Sequence, residues 1–356
     1  MVKNLEEGKE EKEKNEANLI EVLKLFSPGT SLRLALDDIQ RAGLGALIIV
    51  DKEGLANIVE GGFKINCKFS PQKLTELAKM DGAIILSNDL KNILFSNTLV
   101  VPSVDISTKE TGTRHKAAER TAKQLDATVI AISERRNKTT IYCGNLKHIL
   151  DSSSEVLRKA IDVLQILEKQ VEIYNESLLN LNVLEVMDMV TIDDVSSVLQ
   201  RAEIINKITF IIKKYLVELG KEGTLVSFRL KELTRNIPAE KKLIMKDYIK
   251  NKISKIENYL YNTDLDFLLE SSNLSKVFFG KNFDGVVKSR GFRFISKLDI
   301  LVKNKEIILN NFDSLNKMLN LNEEQLIGLF ENEQEVIDFK NELKKIKEKI
   351  SSGKII

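Results

Sequence analysis

The chain of 356 residues has no tryptophan, four prolines, two cysteines and two histidines. Each scarcity removes a class of protein. Cys67 and Cys143 stand far apart, without C-x-x-C spacing or a histidine cluster, so neither a disulfide framework nor a structural zinc site is expected. The pair reads as reduced thiols in a cytoplasmic protein. No run of about 18 apolar residues occurs, so no membrane-spanning helix is expected. Lys and Arg number 54 against 52 Asp and Glu, a net charge of +2, and any contact with nucleic acid must therefore come from a local patch. Residues 1–17 are mostly Lys and Glu and lack the apolar core of a secretion signal; they read as a disordered tail.

What is present divides by character. Ten of the 17 glycines and three of the four prolines fall within residues 1–150. There, short continuous apolar runs (Ala46 to Val50, Ala83 to Leu86, Ala127 to Ile132) alternate with one-sided helical patterns, as strands buried on both faces would. The pattern predicts an α/β domain over 18–150, with a mixed sheet and helices on both faces. Helices are expected over 18–26, after Thr30 or Ser31, and after Ser70-Pro71. Ile93 to Phe95 and Thr98 to Val101 are expected to pair around a turn at Ser96-Asn97. From Asp151 to Leu219 there is neither Gly nor Pro, and long apolar stripes predict an all-helical spacer over 151–285. A small all-helical domain is expected over 286–356. Residues 273–305 hold eight Lys or Arg against two Asp, the one local basic patch.

Three segments in the first domain could carry chemistry, since each sits where α/β folds place ligands, at strand ends and helix starts. A glycine turn at Gly112 runs into a helix opening Thr113-Arg114-His115-Lys116. A helix N-terminus already bears about half a positive charge and unpaired N–H groups, so cations stacked there call for an anion, phosphate above all. A plain basic turn is the competing reading. Ser133-Glu134-Arg135-Arg136 closes a buried strand with two adjacent guanidinium groups, and Asp81-Gly82-Ala83 precedes another strand. Taken singly, these two read equally as a charged hairpin turn and a D-G turn.

Together they resemble the diadenylate cyclase family at all its signature points: D-G-A at 81–83, G-T-R-H-x-A-A-E-R at 112–120 and A-I-S-E-R-R at 131–136. G-G-F-K-I-N at 61–66 and F-S-P-Q-K-L-T-E-L-A-K-M-D-G-A-I-I-L-S at 69–87 extend the match. The helical middle and basic end resemble the branch of that family that scans DNA for damage. The resemblance implies an enzyme that joins two ATP molecules into cyclic di-AMP with release of two pyrophosphates, using Mg²⁺ or Mn²⁺. It makes Asp81 the metal-associated carboxylate that activates the ribose hydroxyl. Gly82, Ala83 and Val100 would line the adenine pocket. Thr113, Arg114, His115, Lys116 and Ala117 would surround the phosphates from the helix start, with Ser133, Arg135 and Arg136 flanking them. It also implies face-to-face cyclase domains, assembled in that branch as an octamer.

Three positions depart from the family pattern. Lys116 stands where arginine is usual and loses the planar fork, Ala117 where threonine is common, and Val100 where leucine is common. In the C-terminal helix-hairpin-helix the expected G-x-G turn falls on Glu331-Asn332-Glu333, whose carboxylates would repel DNA phosphate. Lys288, Arg290, Arg293 and Lys297 are then the candidate DNA contacts. The alternative to an enzyme is a non-catalytic oligomeric scaffold that binds nucleotide or branched DNA.

Overall fold

Apolar runs set the centre of the molecule. In the computed structural model, which describes residues 23–249, 253–280, 285–330 and 332–353, Ala46–Val50 forms strand β1. With β2 (Val59–Glu60), β3 (Phe63–Lys68), β4 (Ala83–Leu86), β5 (Asn92–Val100), β6 (Thr128–Ser133), β7 (Lys138–Cys143) and β8 (Leu146–Leu150) it builds one eight-stranded sheet. The order is β2-β5-β4-β1-β6-β7-β8, and β3 also pairs with β5. Strands β1 and β4 run parallel, with Leu47 opposite Ala83; β1 and β6 are antiparallel, as are β6 and β7. The mixed sheet matches the expectation.

Alternation along the strands gives the sheet two apolar faces. Ile48, Ile84, Ile130 and Ile132 meet Leu32, Leu36 and Ile39 of α1 (Ser31–Arg41) and Leu74 of α2 (Pro71–Leu77). Leu47, Ile49, Ala83, Val129, Ala131 and Tyr142 go to the opposite face, against Ala118 and Ala122 of α3 (Thr113–Leu125). Each such Leu or Ile contributes about 1.5–3 kcal/mol by leaving water. Thr30 and Ser70 cap α1 and α2, their hydroxyl oxygens accepting from the N–H groups of Arg33 at 3.2 Å and Lys73 at 3.3 Å. Residues 18–22 of the first expected helix, and the tail before it, lie outside the described residues.

The turn expected at Ser96-Asn97 does not form. Asn92–Val100 is one strand, and Asn97 takes a φ of 56° where the register with β4 shifts. Asparagine tolerates this left-handed conformation, so the polar pair becomes an irregularity within the strand instead of a reversal. Gly82 packs against it: with φ of 87°, a Cβ there would lie 2.8 Å from the Asn97 carbonyl carbon. Strand β3 was not anticipated, although F-K-I-N-C-K alternates apolar and polar residues as a half-buried strand does.

The chain divides into two compact units, Met1–Ile161 with Lys213–Ser227 and Asp162–Ile212 with Phe228–Ile356. The sheet belongs to the first. The stretch free of Gly and Pro forms α4 (Ser153–Met187) and α5 (Ile192–Leu219), as its periodicity predicts. Between them Asp188 adopts a φ of 57°, and the backbone N–H and hydroxyl of Thr191 both donate to Asp194, at 2.9 and 2.6 Å.

In the second unit, Phe294, Ile295, Leu298, Phe330 and Phe339 form a core with Val183 and Val186 beside them. The segment of the basic patch around Phe294, Ile295 and Leu298 folds into this core, which corrects one expectation. Arg293 is fully buried: its guanidinium donates to the Asn182 side-chain oxygen at 2.6 Å and pairs with Glu185 and Glu240. It is unavailable to DNA because two carboxylates from distant parts of the sequence hold it. Lys297 pairs with Glu240 at 2.7 Å, and Arg290 donates to the Lys246 carbonyl. Lys288 is exposed. Glu331 lies outside the described residues, and Asn332 precedes the helix Glu333–Ser351.

Candidate functional site

Helix α3 starts at Gly112, whose φ of −83° and ψ of 143° bring the chain in extended. No side chain caps it and no acid stands in its first turn, so its opening N–H groups and positive dipole end face outward. They face a cavity of about 560 Å³. Its walls come from the loop before α3 (Glu110, Thr111), the helix start (Gly112, Thr113, Arg114, His115), the β6–β7 turn (Ser133 to Arg136) and the hairpin residues Lys138, Thr140, Lys147 and Ile149. The cations Arg114, Arg135, Arg136, Lys138 and Lys147 outnumber the acids Glu110 and Glu134, so the cavity suits an anion carrying several charges.

Two of the three sequence segments therefore meet here. Arg114 is held by a hydrogen bond from Nη1 to the Ile132 carbonyl at 3.3 Å, and its guanidinium fills the space beside Gly45. Arg135 and Arg136 ride on the turn whose tightness comes from Asn137, at a φ of 48°, and from the Arg136 N–H donating to Ser133 Oγ at 3.3 Å.

Other candidates lie off the cavity wall. Lys116 is half-buried on α3, rotated away from the wall by the helical turn. Ala83 is fully buried, and Val100 and Ala117 pack against its cluster. Asp81 and Gly82 are exposed at the start of β4. The apolar cluster thus ties the acidic segment to the helix start, although Asp81 does not line the cavity. Among the described residues no three His, Cys, Asp or Glu side chains converge as a metal site.

Sequence reasoning overlooked a buried relay. Tyr142, 1 % exposed, donates its hydroxyl hydrogen to Glu110 Oε1 at 3.0 Å, and its oxygen lies 2.9 Å from His115 Nδ1. Lys147 pairs with the same carboxylate. Burial alone would raise Glu110, but hydrogen bonds from Lys147 and Tyr142 outweigh it and hold the carboxyl below its ordinary value. Burial, foremost, and the hydrogen bond to Glu110 push the Tyr142 phenol up, so it stays protonated. Burial also holds the His115 imidazole below its ordinary value; Glu110 opposes this, while Lys147, Arg114 and Arg136 add to it. The available signal was the tyrosine hydroxyl, a polar atom in a buried strand, which must find a partner.

The loop carrying Glu110 is itself tied down. Arg120 Nε donates to the Ile106 carbonyl at 3.0 Å, Lys123 to the Ser107 carbonyl at 3.0 Å, and Thr108 to Glu119.

Comparison with known proteins places this architecture. The chain is 44% identical over 317 residues to the DNA integrity scanning protein DisA of Clostridioides difficile (strain 630), covering 87% of this chain and 89% of that protein. The chain belongs to the DisA family. DisA proteins of Acetivibrio thermocellus (43% identical, 88% of this chain and 89% of that protein) and Clostridium perfringens strain SM101 (40%, 94% and 97%) are similarly close. Residues 33–146 match the family described as DisA bacterial checkpoint controller nucleotide-binding, and residues 150–282 the one described as DisA bacterial checkpoint controller linker region. The cavity walls at 110–140 fall inside the DisA nucleotide-binding region, and Lys147 and Ile149 lie just beyond its end. No helix among the described residues is long and apolar enough to cross a membrane.

Proposed function

We propose that this protein is a cytoplasmic diadenylate cyclase, joining two ATP molecules into cyclic di-AMP and releasing two pyrophosphates. The single observation that carries the reading is the uncapped N-terminus of α3 opening, with Arg114, His115, Arg135 and Arg136, onto one cavity. Backbone N–H groups and guanidinium groups there receive the triphosphate and stabilise charge that develops on the departing pyrophosphate. Gly82 and Val100 border the adenine, and Asp81 stands near the attacking 3′-hydroxyl. Asp81, an exposed carboxylate at the start of β4, is the residue that would hold Mg²⁺ or Mn²⁺, hard cations that take oxygen ligands. Such an ion would supply charge that makes the hydroxyl easier to deprotonate and screens the phosphates.

One cavity holds one ATP, so two copies must face each other for each hydroxyl to reach the other's α-phosphate. The protein is accordingly a homo-oligomer, an octamer by family resemblance, with 18–150 as cyclase head, 151–285 as spacer and 286–356 as a helix-hairpin-helix-like end. DNA contact in that end falls to Lys288 and Arg290, with Lys297 drawn off by Glu240 and Arg293 buried. Gel shifts with duplex and four-way junctions over a salt series test it; equal, negligible binding at low salt retires the idea.

Incubation with ATP and Mg²⁺ or Mn²⁺, with cyclic di-AMP sought by mass, decides the main reading. Wild-type protein that yields none in either metal sinks it. The position of Asp81 off the cavity wall favours one alternative, a scaffold that binds nucleotide or branched DNA without reacting; it predicts nucleotide binding with no product.

A further inference from the structure

The Tyr142 hydroxyl has one hydrogen and two neighbours. Glu110, held ionised, is an acceptor only, so the hydrogen lies toward it at 3.0 Å. The contact with His115 at 2.9 Å then requires the hydrogen of the imidazole to sit on Nδ1. The remaining ring nitrogen, Nε2, belongs to a residue that lines the cavity.

We infer that Glu110 and Tyr142 are positioning residues, which fix His115 with a hydrogen on Nδ1 and aim Nε2 at the bound phosphate, to which Nε2–H donates once the ring takes a proton from solvent. The inference rests on the proposed nucleotide reading only in naming phosphate as the ligand. Charged or titratable groups face the imidazole from every neighbouring element: Glu110 from the loop, Arg114 on α3, Arg136 on the β6–β7 turn, Tyr142 on β7 and Lys147 on β8. Without the relay the ring would be free to swap tautomers or turn over. With it, Nε2 accepts a ligand hydrogen when neutral and donates when protonated, while Nδ1–H stays on Tyr142 in both states.

The chain has only two histidines, which makes the test direct. Full-length protein labelled with ¹⁵N-histidine is examined by two-bond ¹H–¹⁵N correlation at pH 8, with His148→Gln assigning the signals. Wild type should show His115 protonated at Nδ1 and bare at Nε2. Tyr142→Phe keeps the packed ring and should move the population to Nε2–H. Should that variant fold poorly, Glu110→Ala gives the same readout, since the freed hydroxyl hydrogen then turns to Nδ1. ATP turnover should fall about tenfold in either variant, the low end of the cost of losing an orienting partner. Wild type bearing Nε2–H, a tautomer unmoved by Tyr142→Phe, or full turnover with a switched tautomer would each overturn the inference. Wild type with the Nδ1–H tautomer and no cyclic di-AMP would instead refute the proposed reaction and leave the relay standing.

Discussion

Arg114 and Gly45 share one space. A Cβ added to Gly45 would lie 2.3 Å from Arg114 Nη1 and 2.8 Å from its Cζ, so the absence of a side chain at the end of the α1–β1 turn lets the guanidinium reach the Ile132 carbonyl and the cavity. Gly45 is thereby part of the site.

Gly45→Ala should therefore displace the Arg114 head. The expected result is roughly a tenfold loss of ATP affinity, equivalent to about 1.4 kcal/mol, measured by isothermal titration with a non-reacting analogue. Unchanged affinity would show that the guanidinium relocates without consequence.

Asp81→Asn should leave the fold and nucleotide binding intact and reduce turnover at least a hundredfold, on the scale of losing a group that handles a proton in the transition state. Synthesis at the wild-type rate would show that the carboxylate has another role.

Gly82→Ala should destabilise the first unit by about 1–3 kcal/mol, because the residue would be forced to a φ of 87° with its Cβ against Asn97 and the Thr98 carbonyl. Chemical denaturation reads this, and a loss under 0.5 kcal/mol would mean the strand irregularity yields easily.

Arg293→Ala should cost about 3–5 kcal/mol, since Glu185 and Glu240 would be left buried without their cation. Lys288→Ala, on an exposed side chain, should change stability by less than about 0.5 kcal/mol. If the two variants unfold at the same denaturant concentration, the buried network is not holding this region.

Asp247 gives a pH signature. Its carboxylate accepts the N–H groups of Phe292 and Arg293, at 2.5 and 3.0 Å, and burial, reinforced by Glu185, raises it from 3.8 to about 7. The folded state thus keeps a proton that the unfolded state gives up, so this group's contribution is full below 3.8 and is lost as pH rises through about 7. In urea titrations over that window, Asp247→Asn should show a shallower fall in stability with pH than wild type. Parallel pH profiles would assign the slope elsewhere.

The layered α/β core was legible because burial on both faces writes itself as unbroken apolar runs, as in Ala46–Val50. Arg114 and His115 were legible because cations at a helix start are locally unfavourable. Glu110 and Tyr142 were not: they lie 32 residues apart, and only the placement of β7 beneath the α3 entry brings them together. Asn97 was misread since a polar pair in a strand looks the same whether the chain reverses or merely kinks. Arg293 was misread for a related reason: a run of cations says nothing of the distant Glu185 and Glu240 that neutralise them.

Arg114, Arg135, Arg136, Lys138 and Lys147 around one pocket repel one another. Small oxyanions in the buffer should relieve that repulsion, and at matched ionic strength sulfate should raise the melting temperature of the nucleotide-free protein more than chloride does. The same sulfate would weaken apparent substrate affinity, so assay salts become a variable of the enzymology as much as of the folding.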